Sequence, residues 1–284
     1  MMELLLGHNQ FLGISHISED LSRERDRKFS DVKNIYRIVE KAVELGYKGM
    51  IVETHPRMLE FLKYYNENNT FEIDFYLQLP FVQGYIQKMN EQGLSGLLLE
   101  IIKRGGIKTM TSTLKKNLIN YTKKDYISMG LSFLQFERAP FRDVNIKGIF
   151  LHNVLTDLLL SLRVSSALKG YKIFVEDEIG IKPGFITLNF ELFKESFKEW
   201  DIKPSMVMTP INPEGYDMNP SINSVENALR HYKGEVIAMN ILGGGAFSLR
   251  SSHQYLKSFD NINYCVVGAS SIEHLSELSQ IFKQ

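Results

Sequence analysis

The chain has 284 residues, 44% of them apolar, with 33 basic and 33 acidic side chains and zero formal charge. That length supports one large domain whose core needs no disulfide or metal staple, and the charge balance argues against a dedicated nucleic-acid binder, which carries a basic excess. A single cysteine, Cys265, excludes an intrachain disulfide, and no apolar run approaches the ~18 residues of a membrane span.

The opening residues 1–6 lack the basic region and cleavage site of a secretory signal. The expectation is a soluble cytoplasmic protein that acts on a small molecule, with no membrane or nucleic-acid partner. The first strand-like run spans residues 4–13 and carries His8, Asn9 and Gln10 at its end, with His16 close behind. A helix over 30–46 follows, with Ser30 as N-cap, an apolar stripe of Ile35, Ile38, Val39, Ala42 and Val43, and Gly46 as the stop. The second run, 48–54, leads into Glu53-Thr54-His55. With a strand period of two, Glu53 and His55 point the same way and share one target.

The third run, 71–79, places Gln78 at its end. The interval 81–145 is too long for one crossover; it holds helices including 97–103 and 125–136 and reads as a helical extension of the third crossover, a candidate lid. Within it, residues 101–124 contain Lys103, Arg104, Lys108, Lys115, Lys116, Lys123 and Lys124 and no acid, the pattern of a solvated helical face. The fourth run, 146–153, ends on His152 and Asn153. The fifth is read at 183–189, ending on Asn189, or alternatively at 171–175, which leaves Glu176-Asp177-Glu178 at its end.

The sixth run, 205–211, carries Thr209 and opens into a shaped loop from Asn212 to Ser221 that includes Tyr216. A helix then begins at Pro220-Ser221 and turns Ile222, Val225, Ala228 and Leu229 inward. The seventh run, 235–241, carries Asn240 near its end and meets Gly243-Gly244-Gly245, with Ser248 and Arg250 just beyond. The eighth, 263–268, meets Gly268-Ala269-Ser270-Ser271. A final helix follows, with a Ser270-x-x-Glu273 capping box and Ile272, Leu275, Leu278 and Ile281 or Phe282 as its buried face.

Eight strands alternating with helices give an α/β class, and specifically a (β/α)8 TIM barrel with an extended third crossover and one domain over 1–284. In that architecture the C-terminal ends of the strands line the site. Four of the seven histidines, His8, His16, His55 and His152, fall at strand ends in the first half, where imidazole suits proton transfer or metal ligation. His231, His253 and His274 lie on helical segments and read as surface residues. The glycine-rich turns after strands seven and eight read as a phosphate-binding pair. A divalent metal held by Glu53, His55 and His8 or His152 is the less favoured alternative to an unmetallated acid/base pair.

Residues 236–245 and 266–275 resemble the seventh and eighth strands of the aldo-keto reductase superfamily, and 149–153 is similar to its fourth strand. The resemblance implies a (β/α)8 barrel that binds NADP or NAD and reduces carbonyls with an Asp/Tyr/Lys/His tetrad. Carried over, the histidine is His152. Glu53 stands where the family has aspartate, no tyrosine follows in residues 55–60, and Gln78 takes the lysine position. In this reading His55 substitutes as proton donor and the cofactor lies across Gly243, Gly244, Gly245, Gly268, Ala269, Ser270 and Ser271, with Asn212 beside them. The expected function is an NAD(P)-linked oxidoreductase on a small carbonyl or hydroxyl substrate. The alternatives are a non-redox lyase, isomerase or hydrolase on a phosphorylated or carboxylated molecule, and a barrel with only a binding role.

Overall fold

In a computed structural model of the chain, eight parallel strands close into a barrel in sequence order, each paired with the next and β8 with β1. The structure describes residues 2–14, 18–68, 70–82, 84–85, 87, 90–91, 126–203 and 205–282. His16, the 97–103 helix, the basic run 101–124 and most of the candidate lid lie outside them. The strands are β1 Glu3–Leu6, β2 Gly49–Val52, β3 Asp74–Leu79, β4 Ile146–Leu151, β5 Lys182–Ile186, β6 Met206–Pro210, β7 Val236–Met239 and β8 Ile262–Val267. The helices are α1 Glu19–Lys28, α2 Val32–Glu44, α3 Pro56–Asn68, α4 Tyr126–Glu137, α5 Asn153–Ser161, α6 Ser165–Ile173, α7 Phe190–Glu199, α8 Ile222–His231, α9 Leu249–Leu256 and α10 Ile272–Phe282.

Alternation along the strands sorts the core into two layers. Leu5, Ile51, Tyr76, Phe150, Ile186, Met206, Met208 and Ile237 fill the barrel interior, while Leu4, Leu6, Met50, Val52 and their counterparts pack outward against the helices. Glycines on neighbouring strands make room for the larger rings: a Cβ on Gly184 would stand 2.4 Å from the Phe150 ring, and one on Gly49 2.7 Å from the Tyr76 ring. Outside the barrel, Phe185 sits among Tyr171, Phe193 and Phe197 at ring separations of 5.0–5.6 Å. This aromatic cluster ties β5 to α6 and α7.

Several sequence expectations shift by a residue or change type. The first run is a four-residue strand followed by a 3-10 turn at Asn9–Leu12, because Gly7 ends the pairing with β8 and the chain bends across the barrel end. Asp31, not Ser30, caps α2 by accepting from the Lys33 amide at 3.0 Å. Residues 171–175 are helix and π-helical turn (Phe174–Ile179), so the fifth strand lies at Lys182–Ile186 and the alternative placement falls. Ser271, rather than Ser270, caps α10 through the His274 amide at 3.2 Å. That shift leaves Ile272 42% exposed while Leu275, Leu278 and Phe282 carry the buried face. Ser221 caps α8 as expected. Among the described residues no helix is long and apolar enough to cross a membrane.

Candidate functional site

The interior layer predicts its own continuation. Two residues beyond Ile51, Tyr76 and Phe150 on the same faces of β2, β3 and β4 stand Glu53, Gln78 and His152. His8, at the end of the β1 turn, joins them: its Nε2 lies 3.8 Å from Glu53 Oε2, and the two residues are only 6% and 7% exposed. At that distance the contact is coulombic rather than a hydrogen bond.

His152 and His55 share a local role. Each precedes a helix and accepts a backbone amide through Nδ1, His152 from Val154 at 3.2 Å and His55 from Arg57 at 3.1 Å. An Nδ1 that accepts cannot carry the ring proton, so both are held as the Nε2–H tautomer. Burial pushes the His152 pKa below its ordinary 6.5; the Glu53 carboxylate opposes this and His8 reinforces it. His152 is thus a neutral, fixed donor. His55 packs edge-on against Phe81 at 5.4 Å and does not line the cleft. His8 and Gln78 line the cleft; Glu53 and His152 adjoin His8 and, like His55, are not part of that lining.

Sequence reasoning missed Glu137. It ends α4, is 2% exposed, and its Oε2 accepts from the Thr54 hydroxyl at 2.7 Å and the Phe81 amide at 3.1 Å, while the Tyr85 hydroxyl donates to Oε1. Burial pushes its carboxyl up to about 7, with the charge of Glu53 adding and the Thr54 and Phe81 donors opposing. The third crossover is thereby fastened to the residue that follows Glu53. Its signal in sequence, a glutamate closing an apolar helix, is indistinguishable from a solvated helix end.

From these residues a cleft of ≈ 280 Å³ runs across the mouth, and its lining includes His8, Gln78, Asn240, Gly244, Gly245 and Gly268. The Gly243–Gly245 run folds as a 3-10 turn with φ of 52°, 73° and 107°. The Gly243 and Gly245 amides donate within it, to Asn240 and Leu242. These glycines therefore supply left-handed backbone first. Asn240, also at positive φ, donates to Asp217 Oδ2 at 2.9 Å on the same wall. Asn212 is fully buried and its amide is spent on the Tyr216 backbone, at 2.8 Å in both directions, so it shapes the loop that presents Tyr216 and Asp217. Asn189 caps α7, and Thr209 is buried on β6 between the inward-facing Met208 and Pro210.

Gly268 lines the cleft, and a Cβ there would fall 1.9 Å from the Gln10 amide oxygen. Ala269 is buried, whereas Ser270 offers its carbonyl to Lys28 and Ser271 its hydroxyl to α10. Two of the helical histidines are not surface residues: His253 is 8% exposed against Phe282, and His274 lines the cleft. Arg25 of α1 lines it as well. Among the described residues no group of three or more His, Cys, Asp or Glu is placed to hold a metal ion.

No protein-family model matches the chain, and no curated protein matches it. Solved structures do. An aldo-keto reductase from a Medee basin deep-sea metagenome library superposes with TM-score 0.56 at 10% identity over 100% of this chain and 86% of its own. The Bombyx mori aldo-keto reductase, in complex with NADP, gives 0.54 at 9% over 100% and 84%. The Brucella melitensis aldo/keto reductase gives 0.51 at 13% over 99% and 87%. At such identities the likeness establishes a shared barrel fold, in keeping with the resemblance read from strands four, seven and eight.

Proposed function

We infer that this barrel is an NAD(P)-linked oxidoreductase acting on a small carbonyl or hydroxyl substrate, with a proton relay unlike the Tyr/Lys pair its sequence lacks. The observation that carries this reading is the enclosed His8–Glu53 pair, set beside a neutral His152, whose His8 lines a cleft walled by Gly244, Gly245 and Gly268. The cleft suits a dinucleotide because backbone without side chains forms part of its wall and Asn240, Asp217 and Gln10 offer polar contacts there. When bound, the nicotinamide would supply or accept the hydride.

The chain's own residues supply the rest. Protonated His8 gives a proton from Nε2 to the substrate oxygen, and Glu53 holds the imidazolium in place beforehand. His152 Nε2–H donates to the same oxygen and stabilises the charge that develops there. Gln78, on the cleft wall where the family carries lysine, orients the substrate without charge. Loop Asn212–Ser221 offers the Tyr216 ring, 43% exposed, as a flat surface.

Titration of the purified protein with NADPH and NADH, followed by turnover against a panel of small aldehydes and ketones, tests the reading. Binding in the micromolar range with nicotinamide oxidation is expected. No binding of either dinucleotide at millimolar concentration removes the redox reading. The absence of a tyrosine from residues 55–60, with Gln78 at the lysine position, favours as second reading a non-redox acid/base enzyme on a phosphorylated or carboxylated substrate.

A further inference from the structure

Helix α1 has no buried residue; of its ten residues, Glu19 to Lys28, only Leu21 is apolar. Core packing does not place such a helix. Side-chain tethers do. Arg57 donates to Asp26 Oδ1 and to the Phe11 carbonyl, both at 2.7 Å; Lys28 Nζ donates to the Ser270 carbonyl at 2.6 Å; Arg25 Nη1 donates to the Ile14 carbonyl at 3.2 Å. The helix is thus strapped across the barrel end from the β2 side to the turn after β8, and the side chain it delivers to the cleft wall is Arg25.

Arg25 arrives underused. Its Nε–H is enclosed without a partner, and one of the five guanidinium donors is engaged among the described residues. His274 lines the same cleft and feels the Arg25 charge: burial lowers its pKa, Glu277 opposes and Arg25 adds to the lowering. Glu24 acts on Arg25 and Glu277 on His274, yet neither forms an ion pair with Arg25 among the described residues. A guanidinium and an imidazole thus line one cleft beside the Gly268 turn, which Asp217 also lines, and among the described residues no carboxylate forms an ion pair with Arg25. An anion there takes up the spare guanidinium donors, and a guanidinium fork matches phosphate geometry.

The geometry points to a phosphate-binding site at this end of the cleft, in which α1 is a strap that holds Arg25 against a phosphate resting between His274 and the Gly268 turn. The inference deepens the cofactor reading of the same cleft, but the site and the redox step are separable, because a dinucleotide and a phosphorylated substrate present the same group.

Calorimetric titration with inorganic pyrophosphate, NADPH and NADH separates them, using the wild-type chain, Arg25→Gln, Arg25→Lys and, as a control on an exposed charge, Lys63→Gln. Pyrophosphate and dinucleotide binding should weaken about 10- to 100-fold in Arg25→Gln, the range for one charge-assisted contact, with Arg25→Lys in between and Lys63→Gln unchanged. The salt dependence of pyrophosphate binding should also flatten in Arg25→Gln, which loss of a merely structural tether does not cause. If pyrophosphate binds through Arg25 while neither dinucleotide binds the wild type, the site stands, its ligand is a phosphorylated substrate, and the cofactor reading falls. If Arg25→Gln or Arg25→Lys binds dinucleotide and pyrophosphate as tightly as the wild type, or if the wild type binds none of the three, the phosphate site is wrong.

Discussion

The two sides of the barrel mouth are built by opposite means. On the β1–β4 side, ionisable side chains are buried against one another: His8 beside Glu53, His152 beside both, and Glu137 behind Thr54. On the β7–β8 side the wall is backbone and short side chains, with Gly243, Gly244, Gly245 and Asn240 at positive φ. Burying titratable groups is unfavourable and is tolerated where their protonation matters. Left-handed backbone is unfavourable for residues other than glycine and is tolerated where a ligand must come close. Under the proposed function, this contrast corresponds to proton chemistry on the first side and holding on the second.

The largest effect that can break this division is expected at the His8–Glu53 pair. Glu53→Gln and His8→Ala should each lower turnover by ~10²–10⁴-fold, the usual worth of a positioned acid, with dinucleotide affinity unchanged. Loss of affinity without loss of turnover in steady-state and binding assays would put holding on the wrong side. Glu137 comes next. Its folded pKa of about 7 lies above the ordinary 4.5, so the folded state binds the proton more tightly than the unfolded chain. Stability is then fully present below about 4.5 and falls as pH rises through 7, by about 3 kcal/mol in all. Urea unfolding across that window should show the slope in the wild type and lose it in Glu137→Gln; a slope retained by the variant assigns it to another group.

His152 allows chemistry and folding to be told apart. His152→Ala removes both the Nε2–H donor and the cap on Val154, so α5 should lose about 1 kcal/mol along with activity. His152→Asn keeps a capping oxygen and should restore the melting temperature but not turnover. Restored turnover would show that the cap alone was at stake.

What the sequence made legible follows the same division. Strand alternation with helices sufficed for the barrel, and the strand-end rule found Glu53, Gln78 and His152 because interior side chains repeat every two residues. His55 obeys the same rule on paper, but β2 ends at Val52 and the chain has already turned into α3, whose first turn His55 caps. Glu137 reaches Thr54 across a separation of 83 residues, a contact no local pattern encodes. Arg25 and His274 sit on helices where a charged or imidazole side chain reads as solvated. The overlooked sign was that α1 has no apolar stripe at all, which marks a helix placed by polar contacts.

The smallest effect tests the holding side alone. Gly268 does not have positive φ, so alanine is conformationally allowed, and the obstacle to a Cβ is the Gln10 carboxamide at 1.9–2.3 Å. That group is the end of a flexible side chain. Gly268→Ala should therefore change stability by under ~1 kcal/mol while turning Gln10 into the cleft. Dinucleotide affinity should fall several-fold, with turnover at saturation untouched. Adding Gln10→Ala clears the space and should return affinity toward that of the single Gln10→Ala variant, a coupling that a double-mutant cycle reads directly. If Gly268→Ala instead lowers turnover at saturating cofactor and leaves affinity alone, the turn after β8 takes part in the chemistry, and the two sides of the mouth are not divided as the buried charges and the open backbone imply.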